Sequence, residues 1–194
     1  MRLVMMLAFS LISCMSYAQQ CLEPVPASAS FIEKPANNKL TRSQEASLNR
    51  LFKELARSWT GKSSGYYCIG EEIQKARKEY KSHQLEMSFT NDTPLVLRAR
   101  TQAQDNDEFT QKLSSLTVYA DQGYLRFDQN NSAGDVWLEQ LSSTHLSVWS
   151  ISRAGTVYHL INRVIKRSAG AFSISITTYS NNRLTSHYEG RLRY

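Results

Sequence analysis

Signatures of catalysis are what this sequence most plainly lacks. No Gly-x-Ser-x-Gly occurs, so a serine nucleophile elbow has no candidate. The four histidines, His83, His145, His159 and His187, show no His-x-x-x-His spacing, which removes a common zinc pattern. Asp105-Asn106-Asp107-Glu108 has the composition of a calcium loop but neither its frame nor its glycine, and reads as a solvated turn. Glu71, Glu72, Glu86, Glu139 and Glu189 are not spaced as an acid/base pair. Basic residues are in excess, at net charge +6, yet no run of five Lys/Arg appears. That argues against a nucleic-acid patch and leaves only soft attraction to anionic lipid or glycan surfaces. The expectation is a chain that leans away from enzymes, with no metal and no cofactor.

Cysteine and long apolar runs are also scarce, and the apolar run and two of the three cysteines sit at the N-terminal end. Residues 1–18 read as a signal peptide: Arg2 supplies the positive region and Leu3 to Ile12 the apolar one, too short to span a bilayer. Ser16-Tyr17-Ala18 supplies small residues for cleavage after Ala18. Leu11-Ile12-Ser13-Cys14 competes as a bacterial lipobox, and lipidation at Cys14 would be the route to membrane association. Cleavage after Ala18 leaves Cys21 and Cys68. In an oxidising compartment two thiols form a natural disulfide, closing a loop of about 46 residues and contributing roughly 3–4 kcal/mol in the chain-entropy model. The alternative is two unpaired thiols. The location expected is the periplasm or the medium.

Proline is rare overall but gathers in residues 19–40, where Pro24, Pro26 and Pro35 mark an extended linker. Phe31 and Ile32 are its candidates for docking. Residues 41–194 form the domain. Thr41 with Gln44 makes a capping box, and Leu48, Leu51, Phe52 and Leu55 form one apolar stripe, so a helix starts at Thr41. It is expected to cover an open barrel end.

Short two-faced segments follow. Trp59 to Ile69 and Gln84 to Phe89 read as strands, with Glu72 to Tyr80 ambiguous between them. Pro94 to Arg100, Leu116 to Tyr119, Tyr124 to Phe127, Val136 to Leu141, Leu146 to Ile151 and Val157 to Lys166 continue the series. Asp121-Gln122-Gly123 reads as a three-residue hairpin loop. The chain closes on a hairpin. Phe172, Ile174 and Ile176 alternate with Ser173, Ser175 and Thr177; Asn181-Asn182 turns; Leu184, Tyr188 and Leu192 return. The gaps are too short for parallel crossovers. The fold class expected is all-β: an up-and-down antiparallel β-barrel of about 8–9 strands with one N-terminal α-helix, closing on itself because closure leaves no free edge.

A helix followed by Trp59-Thr60-Gly61 at the entry to the first strand, then a meander of strands, resembles the lipocalin-like (calycin) superfamily. The resemblance spans about residues 41–194, although its motif is three residues long and Arg57 stands where lipocalins carry glycine. It implies a central cavity for a small apolar or amphipathic ligand. It also implies that Trp59 packs across the closed end under an arginine of the last strand, Arg191 or Arg193.

Trp59, Trp137, Trp149, Tyr158 and His159 are therefore the candidate pocket or barrel-floor residues. His159 shares a strand face with Val157 and Ile161. Trp137 and Trp149 instead form an outer patch for a partner if the sheet is covered on both faces. Arg98, Arg100, Arg126 and Arg163 are carboxylate or phosphate ligands if they face inward. The expected function is non-catalytic binding of a small hydrophobic or amphipathic ligand in the cell envelope. The alternatives are a structural or assembly protein binding an envelope protein through an outer aromatic face, and an enzyme with its site inside the cavity.

Overall fold

A computed structural model describes residues 20–27, 29, 39–105, 111–127 and 135–194. The stretch read as a signal peptide, with Cys14 and Ala18, the docking candidates Phe31 and Ile32, and the stretch 106–110 lie outside the described residues.

The helix forms as its stripe requires. Helix α1 (Arg42–Leu55) begins at the N-cap Thr41 with a complete capping box: Thr41 Oγ1 accepts from the Gln44 N–H, and Gln44 Oε1 accepts from the Thr41 N–H at 2.8 Å. Leu48, Leu51, Phe52 and Leu55 are fully buried. At roughly 1.5–3 kcal/mol per buried side chain, their burial dominates what holds the helix in place.

Among the described residues ten strands follow rather than eight or nine: β1 (Ser58–Ile69), β2 (Arg77–Thr90), β3 (Val96–Asp105), β4 (Gln111–Asp121), β5 (Tyr124–Phe127), β6 (Val136–Leu141), β7 (His145–Ala154), β8 (Val157–Ser168), β9 (Ala171–Ser180) and β10 (Arg183–Arg193). They form one antiparallel sheet in the order β5-β4-β3-β2-β1-β10-β9-β8-β7-β6. Strand β1 pairs with β2 on one side and with β10 on the other, Thr60 opposite Arg193. The last strand thus seals against the first, and the barrel is nearly closed; among the described residues no ladder joins β5 to β6.

The strands run further than their apolar alternation. The stretch Arg77–His83, read as ambiguous or unassigned, is the first half of β2, and β3 continues to Asp105. These extensions carry polar residues on the inner face, so period-two hydrophobicity does not mark them. The hairpin after Asp121 has two loop residues, not three: Asp121 pairs with Tyr124, and Gln122 and Gly123 take φ of 52° and 85°. Asn181 and Asn182 likewise take φ of 47° and 65°, the left-handed pair that a two-residue hairpin needs.

Two apolar clusters result. The inner one joins the helix stripe to Trp59, Phe89, Leu97, Val118, Phe127, Val148, Phe172 and Leu192. The outer one holds Trp137, Trp149, Ile151, Leu160, Tyr179 and Leu184, with Ala29 and Val25 upon it. Residues 20–27, within the stretch read as a linker, thus lie against the barrel. Leu22 N–H donates to Leu184 O and Val25 N–H to Asn182 O, and Pro24 bridges to Arg183. Cys21 and Cys68 form a disulfide, Cα atoms 5.5 Å apart. It anchors the segment that covers Trp149. Replacing both cysteines with serine will cost about 3–4 kcal/mol by loop-closure entropy. Denaturant titration followed by tryptophan emission checks this; an unchanged midpoint would show that the strap holds without its bridge.

Candidate functional site

Inside the barrel, above the helix, lies a cavity of about 260 Å³. Phe52 reaches it from α1, and Met87, Phe89, Leu97, Val148 and Ile176 supply its walls. Its room comes partly from Gly190 on β10: a Cβ there would sit 3.2 Å from Ile174 and 3.4 Å from Leu85. At about 30 Å³ per water-sized unit the cavity holds roughly ten non-hydrogen atoms, just under the usual range for small-molecule pockets.

The floor is built at the junction of helix and first strand. Trp59 is 1 % exposed, and its Nε1–H donates to Leu55 O at 2.9 Å, satisfying a carbonyl at the helix end. Phe172 and Tyr194 meet its ring edge-on at 4.9 and 5.2 Å. The guanidinium above it belongs to Arg57, 5.7 Å from Trp59 and 4.5 Å from Tyr194, not to Arg191 or Arg193. Strand parity explains this: Arg191 and Arg193 alternate with the buried Leu192 and face outward.

Toward the other end the inner wall turns polar. One ladder row runs Val148, Arg163, Ile176, Tyr188, Gly65, Lys81 across five strand pairs. Arg163 lines the cavity, donates to Ser150 Oγ at 2.6 Å and stacks over Phe127 at 4.7 Å. Lys81 Nζ lies 3.9 Å from both Asp105 Oδ2 and Glu79 Oε1, and Tyr67 donates its hydroxyl to Glu79. Asp105 is 1 % exposed. His83 sits opposite Asp105 in register, with its ring 6.1 Å from Tyr188. Its buried Nδ1 has no hydrogen-bond partner among the described residues. Burial holds the Tyr188 phenol above its ordinary pKa; Lys81 opposes the shift, and Asp105 and Glu79 reinforce it. Tyr188 is therefore a neutral donor at physiological pH.

The five candidate residues separate. Trp59 packs in the inner core at the junction of helix and first strand and does not line the cavity of about 260 Å³. His159 shares the inner face with Arg163 but lies four residues, roughly 13 Å, further along β8, where its Nδ1 meets Ser180 Oγ at 2.8 Å. Trp137, Trp149 and Tyr158 are on the outer face. Trp149 and Trp137 lie in the outer cluster, and Tyr158 is two positions from Leu160, a member of that cluster. Of the four arginines, Arg163 is inward; Arg98 and Arg100 are exposed, and Arg126 pairs with Asp121 at 3.3 Å. Lys81, His83, Asp105 and Tyr188 were not singled out. Extending the alternation Leu85, Met87, Phe89 backward places Lys81 and His83 on the same face, which is the signal that was available.

His145, at the start of β7, has its pKa lowered by burial first and by Lys166 second, with Glu139 opposing. A histidine held neutral in the fold stabilises fully above the ordinary value of 6.5 and loses that contribution as pH falls below it. His145→Gln will flatten the loss of unfolding midpoint on acidification from neutrality; a slope identical to the parent's would show that other groups set it.

The fold and this interior define a nearly closed antiparallel β-barrel, floored by a helix and enclosing a largely apolar cavity. No protein-family model and no curated protein matches the chain. Among solved structures, that of Rv2717c from M. tuberculosis is similar at 14% identity and a TM-score of 0.41, over 79% of this chain and 98% of that one. The Mycobacterium avium subs paratuberculosis tesB protein MAP1729c is similar at 10% identity and a TM-score of 0.21, over 88% and 90%.

Proposed function

We propose that this chain is a lipocalin-like (calycin) carrier, exported to the periplasm or beyond, that holds a small amphipathic ligand with a carboxylate-like head. The observation that carries the reading is Arg163, a permanent cation on the wall of an otherwise largely apolar cavity. A chain of about eight carbons fits the volume, its tail toward Phe52 and its head between Arg163 and the Tyr188 hydroxyl. The Cys21–Cys68 bridge supports an oxidising compartment. The outer aromatic face that a partner protein would use is largely buried, with Val25 and Ala29 packed on it, which favours the carrier over an assembly role.

Titration calorimetry with octanoate and octanol tests the proposal. Octanoate is expected to bind about tenfold or more tighter, since a charge-assisted hydrogen bond contributes about 1.5–3 kcal/mol. Failure of both to bind would remove the carrier. The convergence of Lys81, Asp105, His83 and Tyr188 gives the enzyme reading an observation of its own. Covalent change of a bound ligand, seen by mass spectrometry and lost in Lys81→Met, would favour it.

A further inference from the structure

The outer wall carries a feature that ligand storage does not use. On β1, β10, β9 and β8, one ladder row reads Lys62, Arg191, Ser173, Lys166. Lys62 and Arg191 are direct cross-strand partners, an arrangement that costs stability because like charges face each other. Neither they nor Lys166 has an ion pair among the described residues, and all three are exposed. They rim a groove of about 430 Å³ to which Ser64, Ser173 and Ser175 also contribute. Glu189 also lines the groove, between its cross-strand partners Ser64 and Ser175, and its carboxylate lies 3.3 Å from His187 Nε2, a partner it would need to keep when an anion binds. Next along the row, His145 pairs with Lys166, and burial and Lys166 bias it toward its neutral form, so it adds no fourth charge.

Two adjacent cations, Lys62 and Arg191, with Lys166 two strands away across Ser173, suit a compact oxyanion with several acceptor oxygens, which a single carboxylate does not match. We propose that this groove binds a phosphate ester, free or displayed as a lipid headgroup. The bound anion would offset the Lys62–Arg191 repulsion, so binding and stability are linked. Short Ser64, Ser173 and Ser175 side chains leave the strand surface open beneath the cations, where bulkier residues would fill it.

The test uses the purified protein, glycerol phosphate as the soluble probe, and vesicles of phosphatidylcholine with or without phosphatidylglycerol. Glycerol phosphate is expected to raise the unfolding midpoint above that in chloride at equal ionic strength. Lys62→Gln and Arg191→Gln should each weaken it by about tenfold or more, while Lys53→Gln on the helix, with the same loss of net charge, should not. Lys62→Gln should also raise the midpoint without any probe, a readout that a purely structural cation would move the other way. Binding of the soluble ester supports a free ligand; binding only to vesicles containing phosphatidylglycerol supports a lipid headgroup. No response to either, or an equal loss in Lys53→Gln, overturns the proposal. The octanoate experiment concerns the interior, so either proposal can fail alone.

Discussion

Arg163→Leu will leave the barrel folded and reduce octanoate affinity by about ten- to a hundredfold, with octanol affinity nearly unchanged. The range follows from the 1.5–3 kcal/mol typical of a hydrogen bond to a charged group. Leucine is shorter than arginine and leaves the cavity somewhat larger, which the octanol affinity controls for. Two costs accompany the change. The Ser150 hydroxyl, 3 % exposed, loses its donor, and the stacking on Phe127 is lost. An unsatisfied buried hydroxyl costs about 1–3 kcal/mol, so a lowered unfolding midpoint is expected alongside. Two further variants separate binding from folding. Arg163→Lys keeps the charge but not the planar fork, and should retain part of the preference for octanoate. Tyr188→Phe removes a neutral donor from the same ladder row and should lose several-fold with little change in stability. Equal losses for octanoate and octanol in Arg163→Leu would mean that the arginine only shapes the cavity.

How much of this was legible in the sequence depends on what each residue faces. The helix was readable in full, because Thr41, Gln44 and the Leu48-Leu51-Phe52-Leu55 stripe state its start and its buried side together. The terminal hairpin was readable too, but its register was not. Leu184, Tyr188 and Leu192 have the same parity, yet Leu184 lies in the outer cluster and Leu192 in the inner one. An irregularity between Leu184 and Ser186 switches the face, and nothing in the residue types announces it. The tryptophans misled for a related reason. Strands β6 and β7 are apolar on both faces, so alternation cannot say which face looks inward until Val25 and Ala29 are seen packed on one of them. The polar tier was hidden because an inner face made of Lys81, His83 and Asp105 looks like a solvated strand end.

Trp59→Ala will be the most damaging single change in the core, costing about 3–5 kcal/mol, the range for deleting a large buried aromatic. In a domain whose net stability is on the order of 5–15 kcal/mol, that is a large share of the total. Three kinds of contact end together. The edge-on packing against Phe172 and Tyr194 is removed, Arg57 loses one of its two aromatic faces, and Leu55 O loses the indole donor. The third loss is partial, because Leu55 O, the last carbonyl of α1, keeps the Arg57 N–H as a donor at 2.7 Å. Trp59→Phe keeps an edge-on ring but removes the N–H and part of the indole, so about 1–3 kcal/mol of the effect should remain. Hydrogen exchange gives the decisive reading. If Trp59 pins the helix to the floor, amides of α1 lose protection in Trp59→Ala well before those of β8 and β9. Uniform loss across helix and strands would mean that the tryptophan supports the barrel wall and that the helix is held by its own stripe of Leu48, Leu51, Phe52 and Leu55.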